Sequence, residues 1–306
     1  MEKLLVIATS MIFVTAAVHA QTLSAYQSVI NGQSPLYYNT LDNTLVPSTG
    51  AGTFGATAGS TFTSDYFGNA NNAVNFAAAS DQLSYATGGN IINGSGNTDI
   101  TADHGSMSFL FETPSTLPST TIYLFSNNDT SPNQFAATLV NGALNIKLNN
   151  KTFTAPTTGS AFPTLAGSTW YYLALTWDLN GTAAGVNGVN YYLGQAGAAG
   201  IANVGFMQRG GTGNFSSSSG VLGNGGAFVL NGHQTSLTGG STGGAVDELA
   251  TFNTELTSGQ INSQFAALII PSVPEPSAYA LLGMGVLLLV GIRRVDGSRI
   301  AAKNRK

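Results

Sequence analysis

The sequence contains no cysteine, which excludes disulfide staples, a cysteine metal cage and thiol redox chemistry together. Charge is also scarce, at 8% of residues, and basic side chains are nearly missing from the centre. Residues 21–270 hold Lys147, Lys151 and Arg209 against eleven acids, a balance near −8. Such a surface does not seek phosphate backbones, so nucleic acid is excluded as a partner. Helical periodicity is almost absent from the same stretch. What is present instead is glycine, 38 residues of it, with abundant Asn, Thr and Ser. That composition belongs to short strands joined by many turns. Aromatic and branched aliphatic residues recur in blocks long enough to build a core, which excludes disorder.

The blocks alternate with the period of a strand. Met107, Phe109 and Phe111 give Ser106–Glu112 one clearly apolar face. Phe135–Val140 and Ala143–Leu148 flank Asn141-Gly142, the pair that accepts the two positive φ angles of a type I′ turn, so antiparallel pairing is predicted. Asn149 and Asn150 then turn the chain into Lys151–Thr154. Trp170–Asp178 is apolar on both faces, with Tyr171, Leu173, Leu175 and Trp177 on one and Trp170, Tyr172 and Ala174 on the other. A strand of this kind belongs inside a sandwich, and both tryptophans are predicted to be core. Tyr191 and Tyr192 alternate, which puts one of them toward solvent. Ala73–Phe76, Gln82–Tyr85, Asn190–Leu193, Ile201–Phe206 and Gly244–Phe252 add further strands. Ser48–Thr63 is too poor in apolar side chains for a core strand and reads as loop. Ser24–Asp42 is a helical or extended lead-in to Leu36, Tyr37 and Tyr38. Thr257 and Gln260 have the capping-box spacing and open a short helix with Ile261, Phe265 and Leu268 on one face.

The two ends have different chemistry. Met1–Ala20 carries Lys3, an apolar core from Leu4 to Ala17, and Val18-His19-Ala20 ahead of Gln21, the form of a signal peptide cut between Ala20 and Gln21 by signal peptidase. Near the other end, Val273, Pro274, Glu275, Pro276 and Ser277 precede an uncharged run, Ala278–Ile292, closed by Arg293 and Arg294. The two prolines keep the peptide around Glu275 extended and reachable. The run after it falls somewhat short of the ~30 Å hydrocarbon core, and the arginines supply a cytoplasmic stop. This order resembles the PEP-CTERM sorting signal on which exosortase-type transpeptidases act in Gram-negative bacteria that make extracellular polysaccharide. The resemblance implies a transient inner-membrane intermediate, then release to the cell surface or extracellular matrix. The chain accordingly divides into a leader (1–20), a central domain (21–270) and a sorting segment (271–306), comprising the motif at 273–277, a transmembrane helix at 278–292 and a basic tail at 293–306.

The central blocks, in their order, resemble the laminin-G-like jelly rolls of the concanavalin A-like superfamily. Asn72–Phe76, Gly105–Phe109, Trp170–Asp178 with Tyr191–Gly194, and Gly244–Leu256 carry the likeness. It implies an all-β, antiparallel two-sheet jelly-roll sandwich. Near Asn39 and Asp42 the sequence departs from relatives that carry an Arg and a Glu. The resemblance further implies a lectin-like module for adhesion or association with polysaccharide, with a polysaccharide-acting, glycosidase-like enzyme as the alternative. Glycosidases of that superfamily mount two carboxylates on alternate positions of one strand. No Glu-x-Asp-x-x-Glu run exists here, and Asp247 and Glu248, as strand neighbours, are predicted to point to opposite faces. His104 and His233 lie in polar loop contexts without a recognisable nucleophile, so no catalytic residue is assigned. Relatives often hold one Ca²⁺ through a carboxylate of the closing strand, which nominates Asp247.

Overall fold

The computed structural model describes residues 23–56, 59–87, 104–127, 135–148, 151–154, 165–178, 188–208, 228–232 and 244–269. The leader with its Ala20/Gln21 cut, the sorting residues Val273–Ser277, the 278–292 helix, Arg293, Arg294 and the basic tail lie outside them, as does His233. All the described residues belong to one unit, His19–Ile269. Among the described residues, no helix is long and apolar enough to cross a membrane.

Residues 23–32 form a helix, α1. Among the described residues fifteen strands follow in chain order: β1 (Tyr37–Asn39), β2 (Thr53–Ala56), β3 (Ser60–Thr63), β4 (Ala73–Phe76), β5 (Leu83–Thr87), β6 (His104–Glu112), β7 (Ile122–Asn127), β8 (Phe135–Val140), β9 (Ala143–Leu148), β10 (Lys151–Thr154), β11 (Trp170–Asp178), β12 (Gly188–Gln195), β13 (Ala202–Gln208), β14 (Phe228–Leu230) and β15 (Gly244–Phe252). A second helix, α2 (Ser258–Ala266), closes the series. One sheet runs β13-β12-β11-β6-β15-β4-β3, with β1 paired to β15 as a branch, and the other runs β10-β9-β8-β7-β14-β5-β2. Every pairing is antiparallel. The fold is therefore the antiparallel two-sheet jelly-roll sandwich that the resemblance implies.

The core lies between the sheets. Met107, Phe109 and Phe111 of β6 and Tyr171, Leu173, Leu175 and Trp177 of β11 face Phe125, Phe135, Ile146 and Phe228 of the other sheet. Phe135 meets Trp177 edge-on at 5.7 Å, an arrangement aromatic rings prefer to face-to-face stacking. The predicted turn is present, with Asn141 at φ 50° and Gly142 at φ 73° joining β8 to β9.

Three details depart from the sequence expectations. Within Ser48–Thr63 the chain forms β2 and β3, which sit at the outer edges of the two sheets. Edge strands need little apolar surface, and only Phe54 of these eight residues is buried, so the Thr- and Ser-rich composition misled. Tyr191 and Tyr192 are both buried, at 4% and 7% exposure. Tyr191 enters the core, and the β12–β13 register breaks between the two residues. Finally, the outer face of β11 is covered by a helix rather than by a second sheet. Phe265 of α2 packs on Tyr172, whose hydroxyl donates to Gln264. Small side chains admit α2 at this face: a Cβ on Gly194 would stand 2.4 Å from the Phe265 ring. The helix is fixed at its start by the predicted capping box between Thr257 and Gln260.

Candidate metal centre

The closing strand does something a regular strand does not. Val246 and Leu249 both belong to the inter-sheet core although they stand three residues apart. Strict alternation would place residues an even number apart on one face. The discrepancy is absorbed at Asp247 and Glu248: the register with β6 breaks between Asp247 and Ala250, and Glu248 takes φ 56°. Such a bulge turns two successive side chains away from the core. The opposite edge of β15 changes partner at the same place. β4 pairs with Gly244–Val246 and β1 with Leu249–Thr251, leaving Asp247 and Glu248 between the two ladders. The expectation that these neighbours point to opposite faces is thus overturned, because the bulge shifts the period.

Asp42 arrives at the same point from the turn after β1, where Leu41 and Asn43 both have positive φ. One carboxylate oxygen from each of Asp42, Asp247 and Glu248 lies within 4.8 Å of the others. Asp247 and Glu248 are fully buried and Asp42 is partly so. Gln27 of α1 donates to Asp42 Oδ2 at 3.3 Å and to Glu248 Oε1 at 3.2 Å. The Tyr38 hydroxyl donates to Glu248 Oε2, and the Glu248 N–H donates to Asp247 Oδ1 at 2.8 Å. Asp247 Oδ2 and Asp42 Oδ1 are left without a hydrogen-bond partner, as is the buried Tyr26 hydroxyl of α1. A buried polar atom with no partner costs about 1–3 kcal/mol, more for a charged group.

Electrostatics point the same way. Burial drives the Asp247 carboxyl well above the ordinary range, and the charges of Glu248, Asp65 and Asp42 add to it. Burial pushes Glu248 up to about 8, opposed by hydrogen bonds from Tyr38 and Gln27 and reinforced by Asp42 and Asp65. Burial also raises Asp42 and Asp65. Among the described residues the Lys and Arg side chains are Lys147 and Lys151, both on strands of the other sheet. The residues fit a hard cation on two counts. Their donors are all oxygens, and two oxygens each about 2.4 Å from one Ca²⁺ lie at most about 4.8 Å apart.

Sequence reasoning singled out Asp247 and missed Asp42 and Glu248. One signal was legible: regular alternation from Val246 would aim Glu248 into an apolar core in a domain almost free of bases, so a bulge was required. Asn39 is buried, and its amide donates to the Tyr37 hydroxyl and to Leu45 O. His104 is the exposed first residue of β6 rather than a loop residue. Asp247 and Glu248, being fully buried, do not face a cleft in the way a glycosidase pair must.

The botulinum neurotoxin serotype D binding domain superposes with a TM-score of 0.52 at 13% identity, over 78% of this chain and 52% of that one. The chain thus spans about half the length of that neurotoxin domain. Domain 4 of AbnA, a GH43 extracellular arabinanase from Geobacillus stearothermophilus, solved with arabinotriose, gives 0.44 at 14% identity, over 76% and 98%. The botulinum neurotoxin serotype C1 binding domain gives 0.48 at 14% identity, over 78% and 53%. At these identities the likeness is one of fold. No curated protein matches the sequence. The C-terminal segment does match a described family: residues 272–295 carry the PEP-CTERM protein-sorting motif. The chain accordingly joins a jelly-roll domain to a C-terminal motif that implies export and membrane-associated sorting.

Proposed function

We propose that this protein is delivered by an exosortase-like transpeptidase to the surface or extracellular matrix of a Gram-negative bacterium, where its jelly roll serves adhesion or associates with extracellular polysaccharide. The PEP-CTERM match at residues 272–295 carries this reading. In it, signal peptidase removes 1–20 after Ala20, the apolar run 278–292 holds the intermediate in the inner membrane, and processing occurs near Pro274, Glu275 and Pro276. Intact mass of the extracellular form is the test. The expected mass lacks residues 1–20 and 278–306; a product that keeps 278–306 overturns processing and leaves simple anchoring.

The polysaccharide half rests on the fold, since Trp177, Tyr191 and Tyr192 are spent on packing, while Trp170, expected in the core, is only partly buried. A glycan array that includes the producer's own polysaccharide decides it. Signal on any polymer supports a lectin-like module, and silence on all of them reduces the domain to an adhesive or structural one.

The same domain holds one Ca²⁺ between Asp247, Asp42 and Glu248. The supporting observation is the unpartnered, fully buried Asp247 Oδ2. Bound there, the cation supplies charge neutralisation and no reaction chemistry. Calorimetric titration with CaCl₂ tests it: heat that Asp247→Asn abolishes is expected, and no heat in the wild type removes the ion.

A further inference from the structure

Residues 23–42 pair with the closing strand and send Tyr37 and Leu41 into the inter-sheet core, and the acid cluster sits where this segment meets β15. The β1 ladder is with β15, through Tyr37–Thr251, Tyr38–Ala250 and Asn39–Leu249, with one further bridge from Tyr38 to Thr49, while the rest of that sheet is continuous without it. The Leu36 N–H donates to Thr251 O at 2.8 Å, and Gln33 exchanges hydrogen bonds with Gln260 O and the Gln264 amide at 3.1 and 2.7 Å. Tyr26, Ile30, Tyr37 and Leu41 supply the buried apolar surface. Against these stand the carboxylates: Asp42 on the segment opposes Asp247 and Glu248 on β15, more than 200 residues later, with Asp65 adding its charge to both sides. No basic side chain of the described residues lies on this sheet. The attachment is a short ladder, one bridge and buried apolar contacts set against carboxylates that repel one another wherever they are ionised.

We propose that docking of residues 23–42 onto the closing strand is conditional on Ca²⁺, so that the domain is completed only once the chain has left the cytoplasm. This rests on the calcium reading above. Modules that work outside cells bind the ion with Kd about 10⁻⁴–10⁻³ M, whereas cytosolic sensors respond at about 10⁻⁷–10⁻⁵ M. A site in the first range stays empty inside the cell and fills outside it. The segment next to the leader therefore remains undocked during export, and binding, which ties Asp42 to Asp247 and Glu248, becomes folding free energy at the junction. The ladders of the sandwich do not pass through β1, so its strand order is kept without the ion, while Tyr37 and Leu41 complete the core only on docking.

Amide hydrogen exchange of the mature protein, in excess EDTA and in CaCl₂ at about ten times the measured Kd, reads the junction directly. At that concentration the linkage amounts to about tenfold, so peptides covering 23–42 and 247–251 exchange about tenfold faster in EDTA. Peptides of the β8–β9 hairpin change little, and MgCl₂ does not substitute. In the variant carrying Asp42→Asn, Asp247→Asn and Glu248→Gln the repulsion is gone, so 23–42 stays protected in EDTA and is insensitive to calcium. Asp42→Asn alone, at the partly exposed member, shows the same loss of EDTA sensitivity in smaller degree. Calcium heat with unchanged protection in EDTA overturns the conditional docking and keeps the ion. Uniform acceleration of all peptides overturns it in favour of a global stabiliser. Absence of both heat and change overturns both readings.

Discussion

Leu249 must face the core and Asp247 must face away from it, and Glu248 is the residue that takes up the difference. Its positive φ is costly for a side chain with a Cβ, about 1–2 kcal/mol. The return is a carboxylate turned to the outer face beside Asp247 and Asp42. The metal-free protein carries this arrangement at a pH-dependent cost whose sign follows from the shift. Glu248 has an ordinary value of 4.5 and is raised by burial to about 8 in the fold. A carboxyl raised on folding favours the native state while protonated; that contribution is complete below 4.5 and is lost as pH climbs through about 8. In EDTA, the melting temperature by scanning calorimetry is therefore expected to fall between pH 5 and 8. Glu248→Gln keeps the side-chain shape without the charge, so its melting temperature at pH 8 in EDTA exceeds the wild type's and its pH slope is shallower. A wild-type protein that is more stable in EDTA at pH 8 than at pH 5 contradicts the cluster as described.

Among the elements, β6 and β11 show how tightly small residues are matched to large ones. Gly105 on β6 lies opposite Trp177 on β11. A Cβ there would stand 2.7 Å from the Trp177 ring and 2.9 Å from Phe252 O, one a packed aromatic and the other backbone. Neither can give way cheaply, so Gly105→Ala is expected to cost about 1–3 kcal/mol of stability by denaturant titration. Gly32, on the exposed end of α1, has no atom within 4 Å of the same construction and no positive φ. Gly32→Ala is expected to stabilise by about 0.4–1 kcal/mol, the entropy of the unfolded chain being the main cause. If the two substitutions have the same sign, packing around Gly105 is looser than the distances say. The strands that carry this packing were legible in the sequence because alternation is strongest where both faces are buried, as in Trp170–Asp178 and the Asn141-Gly142 hairpin. The edges and short central pieces were not. β2 and β3 bury too little to alternate, and β14, only Phe228–Leu230, is too short to show a period although all three residues are buried. β7 went unread for a related reason: its register with β8 breaks between Tyr123 and Phe125, so its apolar residues do not keep a single phase. The acid cluster was half legible for the same cause, since a bulge is a failure of period and appears in sequence only as an acid in the wrong phase.

On the scale of the whole molecule, charge is sorted along the chain. Six of its ten basic residues fall in 293–306, and the central domain is strongly acidic. That separation has a physical use in the sorting scheme proposed above. An apolar run shorter than the hydrocarbon core holds its place in a bilayer weakly, so retention depends on the basic side chains that resist being drawn through it. Arg293 and Arg294 stand directly at its end, whereas Arg299, Lys303, Arg305 and Lys306 follow at a distance. A variant with Arg293→Ser and Arg294→Ser is therefore expected to shorten the life of the membrane-bound intermediate. Pulse-chase labelling with membrane fractionation measures it: unprocessed chain leaves the inner-membrane fraction earlier, and the yield of surface product falls. Glu275→Ala in the motif has the opposite signature, since an intermediate that is held but not recognised accumulates in the membrane. The two variants separate holding from recognition, and equal behaviour of both with the wild type would mean that residues 272–295 direct no sorting in the host.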